Sequence, residues 1–253
     1  DCLRVILEGF LTVSRAVKHQ LAPSGILRAG INLSNFLLVS GSGPDGAPKG
    51  ISPDIARRVA NALDLPLEFV TFERPGELAD AAGKNIWDIG NIAFEVDRAH
   101  AIDFSDPYVL IEANFLVRDS TNFHTNSDID RRGISIGVSE RSAYDLWLRN
   151  NFKLARIVRS PSIQISHDLF FENKVDVLAS LKPKLLEETE NNEGIRLVDE
   201  PFTAIKQSIG LPKEKQDSVA FVNEVIRSSI RDGWLASRLK KHGMTSKLKV
   251  PVY

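Results

Sequence analysis

From residue 24 onward, short apolar runs alternate with turn-rich and amphipathic stretches, and this strand–helix alternation constrains the fold more than any other feature. Ile26 to Asn32 (ILRAGIN) reads as a strand, and the Gly/Ser/Pro-rich stretch Ser40 to Gly50 reads as an exposed loop. Ser52 then suits an N-cap, Pro53 the first helical position, and Asp54 the positive end of a helix whose apolar face is Ile55, Val59, Ala62 and Leu63. Leu67 to Phe72 follows as a buried strand, then a short helix around Glu77 to Ala82 and a strand from Trp87 to Ile92. The right-handed crossover rule makes these strands parallel neighbours.

A second α/β set begins after Phe115 to Val117, where residues 118–132 turn polar. Ile134 to Val138 is strand-like, Ser142 can cap a helix carrying Ala143, Leu146 and Trp147, and Val175 to Ala179 is a buried strand after a helix containing Leu169 and Phe170. Ala204 to Leu211 reads as a returning strand, and two helical stretches with Val219, Val222, Val225 and Ile226, then Trp234, Leu235 and Leu239, complete the chain. No internal repeat is evident. At 253 residues and 43% hydrophobic content the chain is long enough for two small lobes with sizeable cores.

Several functions are disfavoured. A formal net charge of -1 gives no global positive field to gather nucleic acid or anionic lipid. Cys2, the single cysteine, cannot form an internal disulfide, and the five histidines (His19, His100, His124, His167, His242) show no zinc-site spacing, so no metal and no cofactor are assigned. There is no G-x-S-x-G elbow, and Gly41, Gly43 and Gly46 fit neither a dinucleotide fingerprint nor a P-loop. Trp87 and Asp88 look inviting at a strand edge but are read as structure.

The first 20 residues contain no run of about 18 apolar residues, because Glu8, Arg15 and Lys18 interrupt it. Leu3, Ile6, Leu7, Phe10, Val13 and Val17 instead fall at helical spacing, so residues 1–23 are read as an amphipathic helix that meets the body of the protein or another subunit. Self-association through it stays open. No export signal is visible in this stretch, which leaves periplasmic and cytoplasmic locations both open.

The most informative segment is Asp88 to Tyr108, DIGNIAFEVDRAHAIDFSDPY. With Leu27 to Asn32, Gly50 to Ala62 (GISPDIARRVANA), Val175 to Val177, Ile209 to Lys213, Val222 and Asn223, and Asp232 and Gly233, it resembles the polar amino acid type of extracellular solute-binding protein, the receptors of ATP-driven (ABC) importers. The resemblance covers about residues 24–243. It implies an α/β, two-lobe type II periplasmic-binding-protein fold with two hinge strands and an extra N-terminal helix. Lobe 1 would comprise residues 24–117 and 208–253, and lobe 2 residues 118–207. The solute would lie between lobes that close on it, the closed form would be recognised by a membrane permease, and the location would be periplasmic.

Residue roles follow from the same resemblance. Arg98 matches the family's carboxylate-binding arginine, whose planar fork suits two parallel hydrogen bonds; a salt-bridged surface arginine beside Asp97 is the plainer reading. Ser142 and its neighbouring backbone amides would complete the anion site, or Ser142 is only an N-cap. Asn32, Asn35, Asn91 and Ala93 fall where the family lines its site. Two departures matter. Arg141 replaces the usual glycine before the Ser/Thr, and Leu181 stands where amino acid receptors present a carboxylate to the ligand's ammonium, with Lys182 after it. An unmatched buried ammonium is costly, so the expected solute is an organic mono- or dicarboxylate, with standard amino acids binding weakly. The same fold also resembles cyclohexadienyl or arogenate dehydratases acting on a prephenate-like acid, for which Glu95 would be the acid, and a ligand-sensing module is a further reading. Catalysis is not the expected function.

Overall fold

The computed structural model describes residues 15–253. Residues 15–21 are helical (α1), with Val17 and Leu21 buried and Gln20 Oε1 accepting from the backbone and hydroxyl of Ser218. The rest of the amphipathic stripe, Leu3 to Val13, lies outside the described residues.

The described residues form two compact units, 15–109 with 207–253, and 110–206. In unit 1, β1 (Leu27–Asn32) pairs in parallel with β4 (Leu67–Phe72) on one side and β5 (Ile89–Ala93) on the other. β4 and β5 are thus parallel but not neighbours, because β1 separates them. Antiparallel β12 (Thr203–Pro212) follows β5, and β6 (Ile102–Phe104) pairs with β12. In unit 2, β8 (Ser135–Ser139) lies parallel to both β9 (Arg156–Ser160) and β10 (Val177–Leu181), antiparallel β7 (Val109–Arg118) follows β10, and β11 (Ile195–Leu197) pairs with β7. Each unit therefore carries three parallel strands in spatial order second, first, third, followed by an antiparallel strand. The chain leaves unit 1 within β7 and returns within β12. The first crossing falls at the start of β7.

Helices cover these strands with their apolar stripes. In unit 1, α2 (Ile51–Ala62) buries Ile51, Ile55, Ala56, Val59 and Ala60, and α7 (Gln216–Arg231) buries Phe221, Val222, Val225 and Ile226, while α3 (Pro75–Asp80) seats Leu78 on β1 and β5 and α8 (Trp234–Lys241) adds Leu235 and Leu239. In unit 2, α4 (Ala143–Asn151), α5 (Ile163–Phe171) and α6 (Lys182–Asn191) connect the strands, and Leu116, Phe170, Val175, Leu178 and Leu185 form a core cluster.

One local expectation is corrected. Ser52 does not cap α2: the N-cap is Gly50 and no side chain caps this end. Before it, β2 (Gly41–Ser42) and β3 (Pro48–Lys49) form a small hairpin within the expected loop. Gly50 has φ 139°, and a Cβ there would stand 2.2 Å from the Leu38 carbonyl oxygen. Gly50→Ala should therefore destabilise the protein by at least about 2 kcal/mol, read as a lower denaturant midpoint; a loss under about 0.5 kcal/mol would mean the turn rebuilds at no cost.

Candidate functional site

In an open α/β sheet, ligands sit outside the carboxyl ends of the strands where the strand order reverses. In unit 1 that point lies between β1 and β5, and in unit 2 between β8 and β10. The residues singled out in the sequence fall on or beside the loops at these points.

In unit 1, Asn32 ends β1 and turns its Oδ1 back to the Ser34 amide (3.1 Å) and hydroxyl (2.7 Å). Asn35 Oδ1 accepts from the Leu37 amide at 3.2 Å. Both side-chain oxygens thus shape the turn after β1. β5 ends at Ala93, whose carbonyl accepts from Arg98 Nη1 at 2.9 Å. Arg98 sits in a hydrogen-bonded turn, its amide bonded to Glu95 O and its own carbonyl accepting from the Ala101 and Ile102 amides. The guanidinium is consequently held at the C-terminal end of β5, 6% exposed. Glu95 lies in the same turn. Asn91 is interior: its Oδ1 accepts from Tyr108 Oη at 3.3 Å, Tyr108 Oη is 2.9 Å from Ser52 Oγ, and its buried Nδ2 has no partner. Burial pushes the Tyr108 phenol up to about 12, against the hydrogen bonds from Ser52 and Gln207.

The Asp-Phe-Ser-Asp-Pro-Tyr run serves the scaffold. Asp103 holds Lys213 (2.8 Å), Ser105 exchanges hydrogen bonds with Ile209 on β12, and the Asp106 amide donates to Asn223 Oδ1 (2.7 Å) while its carboxylate holds Arg227 (2.6 Å). Together with Tyr108 it fastens β6 and the returning strand to α2 and α7.

In unit 2, Ser142 caps α4 by accepting from the Asp145 amide at 3.1 Å. The Asp145 carboxylate in turn accepts from the Arg141 amide (2.8 Å) and from Arg159 Nε (2.9 Å). Of the first-turn amides, those of Ala143 and Tyr144 have no acceptor within the helix, the arrangement that attracts anions. Arg141 has φ 57°, the left-handed region where glycine rests without strain. Lys182 is the first residue of α6, and its Nζ lies 2.7 Å from Glu112 Oε2. Leu181, just before it, is buried.

Glu112 was missed in the sequence. The available signal was a lone carboxylate inside the apolar run Val109–Arg118; its partner lies 70 residues away and cannot be read from spacing.

The α/β architecture matches solved structures of type II periplasmic binding proteins. An amino acid ABC transporter substrate-binding protein, AbpA, from Streptococcus pneumoniae bound to L-arginine superposes with a TM-score of 0.71 at 17% identity, covering 90% of this chain and 99% of that one. The sequence profile of the bacterial extracellular solute-binding proteins, family 3, matches residues 34–245, and the chain belongs to that family. Two curated relatives are each 22% identical. The L-cystine-binding protein TcyJ of Escherichia coli K12 aligns over 201 residues, 79% of this chain and 76% of its own length. The cyclohexadienyl dehydratase of Pseudomonas aeruginosa PAO1 aligns over 245 residues, 94% and 90%.

Proposed function

We propose that the protein is an extracytoplasmic receptor that closes on a small carboxylate-bearing solute and delivers it to the permease of an ABC importer. The observation that carries this reading is Arg98: a buried guanidinium pinned to the end of β5, at the strand-order reversal, suited to bidentate carboxylate recognition. Ser142 and the Ala143 and Tyr144 amides supply the anion-binding element of unit 2. Asn32, Asn35, Ala93, Arg141 and Lys182 complete the lining, and Asn91 supports it from within the sheet. AbpA, an amino acid ABC transporter substrate-binding protein, and TcyJ, an L-cystine-binding protein, support solute binding over catalysis.

The solute class follows from charge. Leu181 offers nothing to an ammonium, and Glu112, next to its strand partner Ala113, is paired with Lys182 at 2.7 Å. With Arg98 and Arg141 also present, the site favours negative charge. A thermal-shift panel of organic acids and standard L-amino acids is expected to show stabilisation by an organic mono- or dicarboxylate and little by amino acids. A large stabilisation by an amino acid alone would overturn the preference and place the ammonium on backbone carbonyls or on an acidic residue such as Glu112. The alternative of a dehydratase, for which Glu95 beside Arg98 is the candidate acid and the Pseudomonas relative the precedent, is tested on the same samples: prephenate should be recovered unchanged.

A further inference from the structure

Three helices of unit 1 leave a cavity of about 680 Å³ between them, lined by Arg57 and Arg58 on α2, Phe221 and Val225 on α7, and Trp234 and Arg238 on α8. Small-molecule sites typically measure roughly 300 to 1,000 Å³ and combine an apolar wall with a few placed polar groups. The cavity meets the outer face of α2, whose other face buries Ile55, Ala56 and Val59. None of the residues assigned above to the solute lines it.

The charges around this cavity do not cancel. Arg57 Nη1 meets Asp54 Oδ1 at 3.2 Å, and the other oxygen of Asp54 lies 2.8 Å from His242 Nε2. Arg58 Nη2 meets Asp232 Oδ2 at 2.6 Å, and Glu224, the second carboxylate of the lining, is held by Arg231 at 2.8 Å. Arg238 is left over. Among the described residues it has no carboxylate partner, and its Nε reaches only Ser237 Oγ, at 3.4 Å. Its guanidinium nevertheless stands 5.5 Å from the centre of the Trp234 ring, while that of Arg58 stands 5.1 Å from the same ring. Two like charges gathered on one indole repel each other, and only Arg58 is compensated. An anion in the cavity removes this imbalance, and the guanidinium N–H groups that Asp232 and Ser237 do not use are there to donate to it.

Beyond these charges the wall includes the apolar Ala62, Phe221 and Val225. A ligand that answers both features carries one negative charge on a hydrophobic body. A neutral apolar molecule leaves Arg238 uncompensated, and a dianion finds one spare cation for two charges. We propose that this cavity is a second ligand site, separate from the solute site, for an amphiphilic organic monocarboxylate: Arg238 and Arg58 hold the carboxylate, and the apolar body lies against Val225 and Phe221. The assignment does not depend on the solute site, so its failure would leave that reading intact.

The test titrates the whole protein, labelled with 15N-tryptophan, with 1-naphthoate. Of the three tryptophans, Trp87 is buried in the core and Trp147 belongs to unit 2, so only Trp234 reports on the cavity. Its indole N–H signal, assigned by its absence from Trp234→Phe, is expected to move while the other two stay. Calorimetry should show naphthoate affinity unchanged in Arg98→Ala and at least about 10-fold lower in both Arg238→Gln and Arg238→Glu, the worth of one charge-assisted hydrogen bond. The glutamine variant adds no new charge and keeps the test open if the reversal does not fold. 1-Naphthamide, with the same ring system and no charge, should bind at least about 10-fold more weakly than naphthoate. Naphthoate binding lost in Arg98→Ala and kept in Arg238→Gln would place this ligand at the solute site and overturn the proposal. Equal affinity for the amide, or a Trp234 signal that does not move, overturns it as well.

Discussion

Arg98→Ala should abolish measurable solute binding while the protein stays folded. Removing one partner of a desolvated charge pair costs about 2 to 5 kcal/mol, roughly 30-fold to several thousand-fold in affinity. The fold should survive the change, since the charge-assisted bond from Arg98 to the Ala93 carbonyl, one of its contacts, is worth about 1.5 to 3 kcal/mol against a domain stability of about 5 to 15 kcal/mol. Arg98→Lys separates charge from shape. It keeps the cation but loses the planar fork, so affinity should recover only in part. Calorimetry with the stabilising organic acid from the thermal-shift panel reads both variants. Wild-type affinity in Arg98→Ala would remove this residue from the site and leave its role as a clasp on the β5 turn.

The contrast between recognition and chemistry in this sequence has a physical origin. The six residues from Asp103 to Tyr108 carry much of the family resemblance, yet their polar groups, side chain and backbone, are engaged with Lys213, Ile209, Asn223, Arg227, Ser52 and Asn91. A run that must satisfy several elements at once tolerates few alternatives, so it is legible as a motif even though its task is scaffolding. Largely buried strands, such as β1 and β10, were equally legible because most of their positions are apolar. β9 (Arg156–Ser160) was not, since an edge strand with one partner can keep two arginines in its five residues. α6 was hidden because Lys182 and Pro183 open it with no side-chain cap. The shared strand order of the two units leaves no repeat in the sequence, as topology constrains polarity patterns and not residue identities. The Glu112–Lys182 contact was illegible for a simpler reason: it joins residues on separate elements, and only the fold brings them together.

Trp87→Ala should do the reverse of Arg98→Ala, unfolding the protein more easily without touching the anion site. Trp87, read from the sequence as structural, is seated 2% exposed in a cluster with Leu78, Ala81, Ile92 and Ile102. Its Nε1 donates to the Leu78 carbonyl at 3.0 Å. The indole lies over two strands because each offers a glycine beneath it: a Cβ on Gly30 or on Gly90 would come within 3.3 Å of the ring. Neither glycine carries a side chain that could fill the space left by the ring, so truncation opens a cavity. Truncating a large buried aromatic in such a setting costs about 3 to 5 kcal/mol, and for a chain of this size that corresponds to a melting temperature lower by roughly 6 to 20 °C. Trp87→Phe keeps most of the volume but loses the indole N–H, and should fall between the two. Solute affinity measured well below the transition should match wild type, because the cluster lies under α3 and Arg98 is held by the Ala93 carbonyl, not by the ring. A melting temperature within a degree or two of wild type would show that α3 closes onto the two glycines and that the indole fills space the strands can reclaim.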